Sequence, residues 1–307
     1  MKSSSSSSSI SSLAVLPLLV ATGVALGLGL PLAKLAAMQG VQPLPFATWP
    51  TWAAALVLVA LGAGRHGPPP APQRLLRFGL IAGLFGHAAP MTALYWLTRE
   101  TGAGFAALAF TLPPVFTLAI TLVLRLQAPS ALRLGAVVVG LAGALLLVLG
   151  RDVHGPASWL PLLAVVAIPA SMGGANVYRS LHLPAGTGGE WLSAATLLGS
   201  AAILTAGGLA AGALGVPQTP AALLILAAQT AVLVAGYLLY FALQRRAEPV
   251  TFSFMGYVSM GTGVLAGLLM FQEVLPWTTL PALALIVLSL KLIVSSRPPA
   301  ATAGAPR

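Results

Sequence analysis

Apolar residues fill this chain in ten long stretches, separated by short polar or Pro- and Gly-rich segments. A helix needs about 20 apolar residues to cross a bilayer, and the stretches have that length. In the first half they run Leu13–Ala33, Phe46–Ala63, Leu75–Leu97, Ala103–Leu124 and Leu132–Leu149. In the second half they run Trp159–Leu181, Trp191–Ala213, Ala221–Leu243, Val250–Phe271 and Trp277–Ser295. The connections are loop punctuation, Pro-rich at Gly64–Arg74 and Gly-rich at Pro184–Glu190. Met1–Ser12 reads as a disordered, Ser-rich cytoplasmic tail, and residues 296–307 as a second cytoplasmic tail. Lys2 ahead of an apolar run invites a signal-peptide reading. The run is long enough to span a membrane, however, and Lys34 follows without a small-residue cleavage site, so an uncleaved first span is expected.

The pattern occurs twice. Thr101–Leu149 reads as two apolar helices joined by a polar turn, Arg125–Arg133. Ala247–Ser295 has the same plan, with its turn at Gln272–Pro276. A slide of about 146 residues sets Gln127 opposite Glu273, Leu132 opposite Thr278 and Leu134 opposite Leu280. The halves also begin alike, LPLLVATGVALGLGLPLAKLA from Leu16 and LPLLAVVAIPASMGGANVYRS from Leu160, at a nearly equal offset of 144. The expected architecture is an all-α integral membrane protein of ten transmembrane helices in two five-helix repeats, residues 13–149 and 159–295. An odd number of spans per repeat inverts the second relative to the first.

Composition agrees with lipid as the solvent. The chain is 58% hydrophobic and 7% charged, with mean hydropathy +0.94, whereas soluble chains carry about a quarter charged residues. The net charge of +10 raises the question of nucleic acid. Its basic residues stand singly between apolar runs and form no patch, so no nucleic-acid partner is expected. They orient the chain instead. With the N-terminus inside, twelve of the fifteen Lys and Arg fall on the cytoplasmic side, and Lys34, Arg99 and Arg151 outside. Both termini are therefore placed in the cytoplasm. There is no cysteine, which removes disulfide and thiol chemistry.

The stretch TLPPVFTLAITLVLRLQAPSALRLGAVVVGLAGALLL resembles the drug/metabolite transporter superfamily, in its EamA-type branch. The family pattern has two five-helix repeats, each with a mid-helix Pro, a turn Glu and a Gly-rich closing helix. Pro113 or Pro114 matches the proline of the first repeat, where Arg125–Gln127 replaces the turn Glu. Glu273 of FQEVLPW matches the Glu of the second, where Ser259 and Met260 replace the proline. Lys34 matches the Lys that closes the first span. The resemblance covers Leu13 to Ser295 and implies ten helices around a central cavity with alternating access.

Polar groups in mid-span are costly in lipid and so are candidates for function. His87 is the most central ionisable residue; it either binds substrate or a proton, or donates as a neutral ring to a neighbouring helix. Asn176, Tyr178, Gln229, Tyr237 and Tyr240 are the other candidates for a substrate cavity. Gln229, Tyr237, Tyr240 and Gln244 share a broad helix face. Arg179 is expected to anchor at the inner interface by snorkelling. Tyr95, Trp96, Trp49, Trp52, Trp159, Trp191 and Trp277 are expected in the aromatic belts. Pro90, Pro113, Pro114 and Pro169 fall inside spans, as hinges or as tolerated kinks. The GxxxG pairs Gly23/Gly27, Gly79/Gly83, Gly208/Gly212 and Gly263/Gly267 are read as packing surfaces. All five acids lie at span ends or in loops, and Glu273 is read as a turn and helix-start residue.

The function expected is a plasma-membrane, multi-pass transporter of small solutes, exporting metabolites or amino-acid-like compounds. A lipid-carrier flippase, an uncoupled facilitator and a structural membrane subunit are the alternatives. An intramembrane enzyme is not expected: HExxH and paired intramembrane aspartates are missing, and His66, His87, His154 and His182 lack metal-ligand spacing. No cofactor or metal is expected. The expected partners are a small-molecule substrate, the bilayer and, through His87, protons. Monomer and homodimer both stay open.

Overall fold

The structure, a computed structural model, describes residues 6–126, 128, 130–149, 159–246, 252 and 255–295. Among these residues it is all helical. In chain order the helices are α1 (Ser6–Gly27), α2 (Gly29–Met38), α3 (Pro43–His66), α4 (Pro72–Gly83) and α5 (Ala89–Thr101). They continue with α6 (Ala103–Ala107), α7 (Pro113–Val123), α8 (Ala131–Leu149), α9 (Trp159–His182) and α10 (Gly189–Ala210). The last three are α11 (Pro220–Arg246), α12 (Met255–Phe271) and α13 (Thr279–Ser295). Three pairs stack end to end, α1–α2, α4–α5 and α6–α7, so the described residues form ten helical columns.

Six columns are long and apolar enough to cross a membrane: Val15–Met38, Pro43–His66, Pro72–Thr101, Ala103–Val123, Gly189–Ala210 and Pro220–Arg246. Ala131–Gly143, Met255–Phe271 and Thr279–Ser289 are apolar but shorter. The expected ninth span began at Val250; Val250 lies outside the described residues, and α12 starts at Met255. At the other end, α1 begins at Ser6, within the stretch read as a disordered tail. A helix already nucleated by the apolar run extends backwards at little cost.

The breaks inside columns have local causes. Pro90 has no N–H, so the turn before it cannot close in the ordinary register. Residues Leu84–Ala88 form a π-turn instead, and the Ala89 N–H reaches the Leu84 carbonyl five residues back. Carbonyls exposed around this turn find partners on other helices. The Ser171 hydroxyl donates to the Phe85 carbonyl at 2.8 Å, and Ser200 donates to Gly83 at 3.1 Å. That is the requirement for irregular backbone at membrane depth. In the next column a 3₁₀ turn, Leu108–Thr111, precedes Pro113 and Pro114 at the start of α7. Pro169, by contrast, sits inside an unbroken α9.

Helix contacts are close where glycine permits. On α1, a Cβ at Gly27 would lie 2.7 Å from the Ser259 carbonyl of α12, and Gly23 faces Val258. On α4, Gly79 faces the Ala195 carbonyl of α10 and Gly83 the Thr196 carbonyl at 2.7 Å. Gly263 and Gly267 of α12 admit Ala107 and Gly104 of α6. These three GxxxG pairs are packing surfaces. Gly208 meets only Leu214, and Gly212 meets nothing, so the fourth pair packs no second helix.

The other main pairings are α8 with α13, α3 with α10 and α11, α7 and α5 with α9, and α1 with α11. Large apolar side chains such as Leu56, Leu76, Leu224 and Leu269 point outward, which lipid tolerates and water would not. Trp277 is exposed, whereas Trp191, expected in a belt, is buried against Gly62.

Candidate functional site

The middle of the bundle holds a cavity of ≈ 80 Å³. That is room for on the order of five water molecules, and a solute of any size must displace them. Its walls come from both halves: α1, the π-turn, α5, the 3₁₀ turn and α7, together with α9, α11, α12 and Phe252.

His87 reaches the cavity because the π-turn swings it inward. Its Nε2 lies 3.1 Å from the Thr51 hydroxyl, which itself donates to the Ala47 carbonyl at 2.5 Å. A hydroxyl has one proton to give. With that proton on Ala47, Nε2–H is the donor to Thr51, and Nδ1 of a neutral ring is left as an acceptor. Tyr237 stands edge-on to the ring, 5.5 Å between centroids.

Gln229 is fully buried on α11 and donates from Nε2 to the Tyr95 hydroxyl at 2.9 Å, while its Oε1 has no partner among the described residues. Tyr95 was expected in an interfacial belt; it is buried, wedged against Phe46 and part of the cavity wall. Replacing Tyr95 by Phe keeps the shape but strips Gln229 of its partner. We expect a loss of about 1–2 kcal/mol of stability, the cost of an unpaired buried polar group, measured by thermal unfolding in detergent. No change would mean that the pair does not hold the wall together.

Arg179 departs most from expectation. It does not snorkel to an interface; it is 4% exposed and lines the cavity. Gly86, in the π-turn, makes the space, because a Cβ there would collide with the guanidinium. Nη2 donates to Asn176 Oδ1 at 2.8 Å, the guanidinium carbon lies 5.2 Å from the centre of the Tyr240 ring, and Nε has no partner among the described residues. Burying a charge costs several kcal/mol even after relaxation. A desolvated cation–π contact returns about 2 kcal/mol, and the amide carbonyl about as much. The site is thus a positive centre whose compensation is incomplete.

Of the residues proposed from sequence, His87, Asn176, Gln229, Tyr237 and Tyr240 meet at this cavity, together with Pro113 and Pro114. Tyr178 does not; it stacks between Phe78 and His182, 6.1 and 4.7 Å from their ring centres. Tyr178 and Arg179 are neighbours, a helix turns about 100° per residue, and here Arg179 lines the cavity while Tyr178 turns toward Phe78. Pro90 lies beside the cavity at the π-turn, and Pro169 lies away from it. Sequence reasoning missed Arg179, Tyr95 and Ser259, whose hydroxyl crosses to the Gly23 carbonyl at 2.9 Å.

Lys34 and Glu273 meet at another place. Glu273 accepts from the backbone N–H of Ala103 at 2.8 Å and of Gly104 at 2.7 Å, capping α6 from the far half of the chain. Lys34 Nζ stands 4.0 Å from the same carboxylate. At the opposite ends of the columns, Glu190 at the start of α10 takes Arg65 and His66 from the end of α3, at 2.9 and 3.0 Å.

Comparison with known proteins agrees with this fold. Thirteen chains of solved structures match. One of them, described only as the crystal structure of a protein, superposes with a TM-score of 0.61, covering 90% of this chain and 96% of its own, at 19% identity. At that identity the likeness shows the fold alone. No curated protein matches. Residues 13–149 match the sequence profile of the EamA-like transporter family. Over those residues the chain is similar to the EamA-like transporters, a family of membrane transporters in the drug/metabolite transporter superfamily.

Proposed function

We propose that this chain moves a small metabolite or amino-acid-like solute across the plasma membrane by alternating access, exporting it through the central cavity. The observation that carries this reading is the cavity itself. It lies at depth in the bundle, is walled by both halves of the chain, and gathers buried polar side chains among apolar ones. Such a site holds a small molecule by a few placed polar groups.

Inverted repeats with both termini inside would make the two walls rock about the solute. Several contacts support the repeat at its offset of 146. The Tyr257 hydroxyl donates to the carbonyl of Thr111, the residue 146 positions earlier, at 3.0 Å. Gly256 likewise faces the Phe110 carbonyl. Between α8 and α13, Gly140 meets Ser289 while Gly143 meets Ile286. Adding 146 to each first-half residue turns one of these contacts into the other, the signature of a two-fold relation. The irregular turns at Leu84–Ala88 and Leu108–Thr111 supply the flexible points, with Pro90, Pro113 and Pro114 as hinge residues. His87 is the group through which a proton would couple.

The test is transport in proteoliposomes, with and without a pH gradient. His87→Ala, Asn176→Ala and Gln229→Ala are each expected to slow solute movement roughly tenfold or more, the scale of one lost buried hydrogen bond or two. Unchanged kinetics in all three would remove the site. The chain has no cysteine, so Met172→Cys reports access cleanly. Labelling of that cysteine from each membrane face in turn, switched by solute, is expected. Labelling from one face under every condition would exclude alternating access.

A further inference from the structure

We infer that the solute is an organic anion, recognised through a carboxylate placed against Arg179. This rests on the reading of the central cavity as the solute site. Arg179 is a fully formed charge in a membrane interior, and its guanidinium has five N–H donors in a rigid fork. One donor is spent on Asn176, and Nε, deeply buried, has no partner among the described residues. Among the described residues no carboxylate pairs with Arg179, and none lines the cavity. The Asn176 carbonyl and the Tyr240 ring fix the direction of the fork without neutralising it. A carboxylate is the group that matches such a fork in both charge and shape.

The rest of the wall describes the body of the solute. Met91, Met172, Leu233, Phe252 and Met255 make it apolar, and flexible methionines adapt to irregular shapes. Polar groups face the same space, His87 and Gln229 among them: Gln229 keeps one end of its amide on Tyr95 and, among the described residues, leaves the other unpartnered. A small polar substituent on the solute, such as a hydroxyl, is satisfied there. The class is therefore a monocarboxylate with a short apolar body and one neutral polar group. A cation has no counter-charge among the described wall residues and meets Arg179 as a like charge.

The experiment uses the purified full chain, with four probes of one skeleton: 2-hydroxyisocaproate, isocaproate, the neutral 2-hydroxyisocaproamide, and isoamylamine as the cation. Binding is read by ligand-induced thermal stabilisation in detergent, and movement by counterflow in proteoliposomes. The hydroxy acid is expected to bind best, isocaproate more weakly, and the amide and the amine roughly 10- to 100-fold worse, the range of one charge-assisted hydrogen bond. Arg179→Gln is expected to reverse the order of acid and amide, and Arg179→Lys to keep the order with weaker binding. The reversal is legible in a folded protein, because the amide must still bind. If the amide or the amine binds and moves as well as the acid, the anion inference falls while the transport reading stands. The same holds if Arg179→Gln leaves the preference for acid intact. If none of the four binds or moves, while solutes of other skeletons move in the same vesicles, the inference falls alone. If nothing at all binds or moves, the reading of the cavity as a solute site falls with it.

Discussion

Glu273→Ala is expected to lose about 2–4 kcal/mol of stability and most of the transport activity, while Lys34→Met loses less than about 1 kcal/mol. The two variants remove opposite halves of one ion pair, so equal effects would be the simplest guess. Geometry argues otherwise. The Lys34–Glu273 contact is 4.0 Å long, and the two side chains are 27% and 14% exposed, a pair worth little. The same carboxylate, however, makes two short charge-assisted hydrogen bonds to Ala103 and Gly104. It sits in a socket of glycines: a Cβ at Gly102, Gly104 or Gly267 would come within 2.6–3.1 Å of it. Gly102 is also held at φ +96°, where other residues are strained. Alanine at 273 leaves two N–H groups unpaired and a void that three glycines were shaped around. Glu273→Gln should fall between, because a neutral amide oxygen accepts one N–H and its amino group repels the other. Thermal unfolding in detergent ranks the three variants. A loss for Lys34→Met as large as that for Glu273→Ala would show that the ion pair, and not the cap, ties the two halves together.

The second large effect is expected at the crossing of α4 and α10. Gly79→Ala should destabilise by about 3 kcal/mol or more, as overpacking against a rigid partner does, and should lower the yield of folded protein. The added methyl meets the Ala195 carbonyl, which is backbone and cannot swing away. The clash is reciprocal, since a Cβ at Gly199 meets the Gly79 carbonyl. Moving α10 aside also draws Ser200 from the Gly83 carbonyl, beside the π-turn that carries His87. Gly207→Ala on the same helix meets nothing within 4 Å and should be neutral or slightly stabilising, because alanine favours helix. Equal melting temperatures for the two variants would show that the close approach of α4 and α10 is not required.

Much of the plan was legible along the chain because its causes are local. Ten apolar stretches imply helices, since only helices satisfy their own backbone in lipid. Pro90, Pro113 and Pro114 mark broken columns because a missing N–H acts where it stands. Of the four α11 residues that share a face, Gln229, Tyr237 and Tyr240 line one cavity and Gln244 does not. Glu273 read as a turn residue at the start of the helix that follows it, but its carboxylate caps α6, about 170 positions earlier in sequence.

Length and apolarity alone thus determined the helical class and the membrane setting; prolines marked candidate breaks, of which Pro169 lies in an unbroken helix. Tertiary structure decided which way each helix is turned. In water, the buried stripe of a helix is apolar and the exposed side polar, so rotation can be read from periodicity. In lipid both sides are apolar, and that signal vanishes. Arg179 read as an interfacial anchor and Tyr178 as a cavity residue until the packing of α9 against α7 and α5 turned the first inward and the second aside. The room for Arg179 comes from Gly86, some ninety residues earlier, in a turn that Pro90 distorts. No spacing within α9 encodes that, because the space is made by another helix.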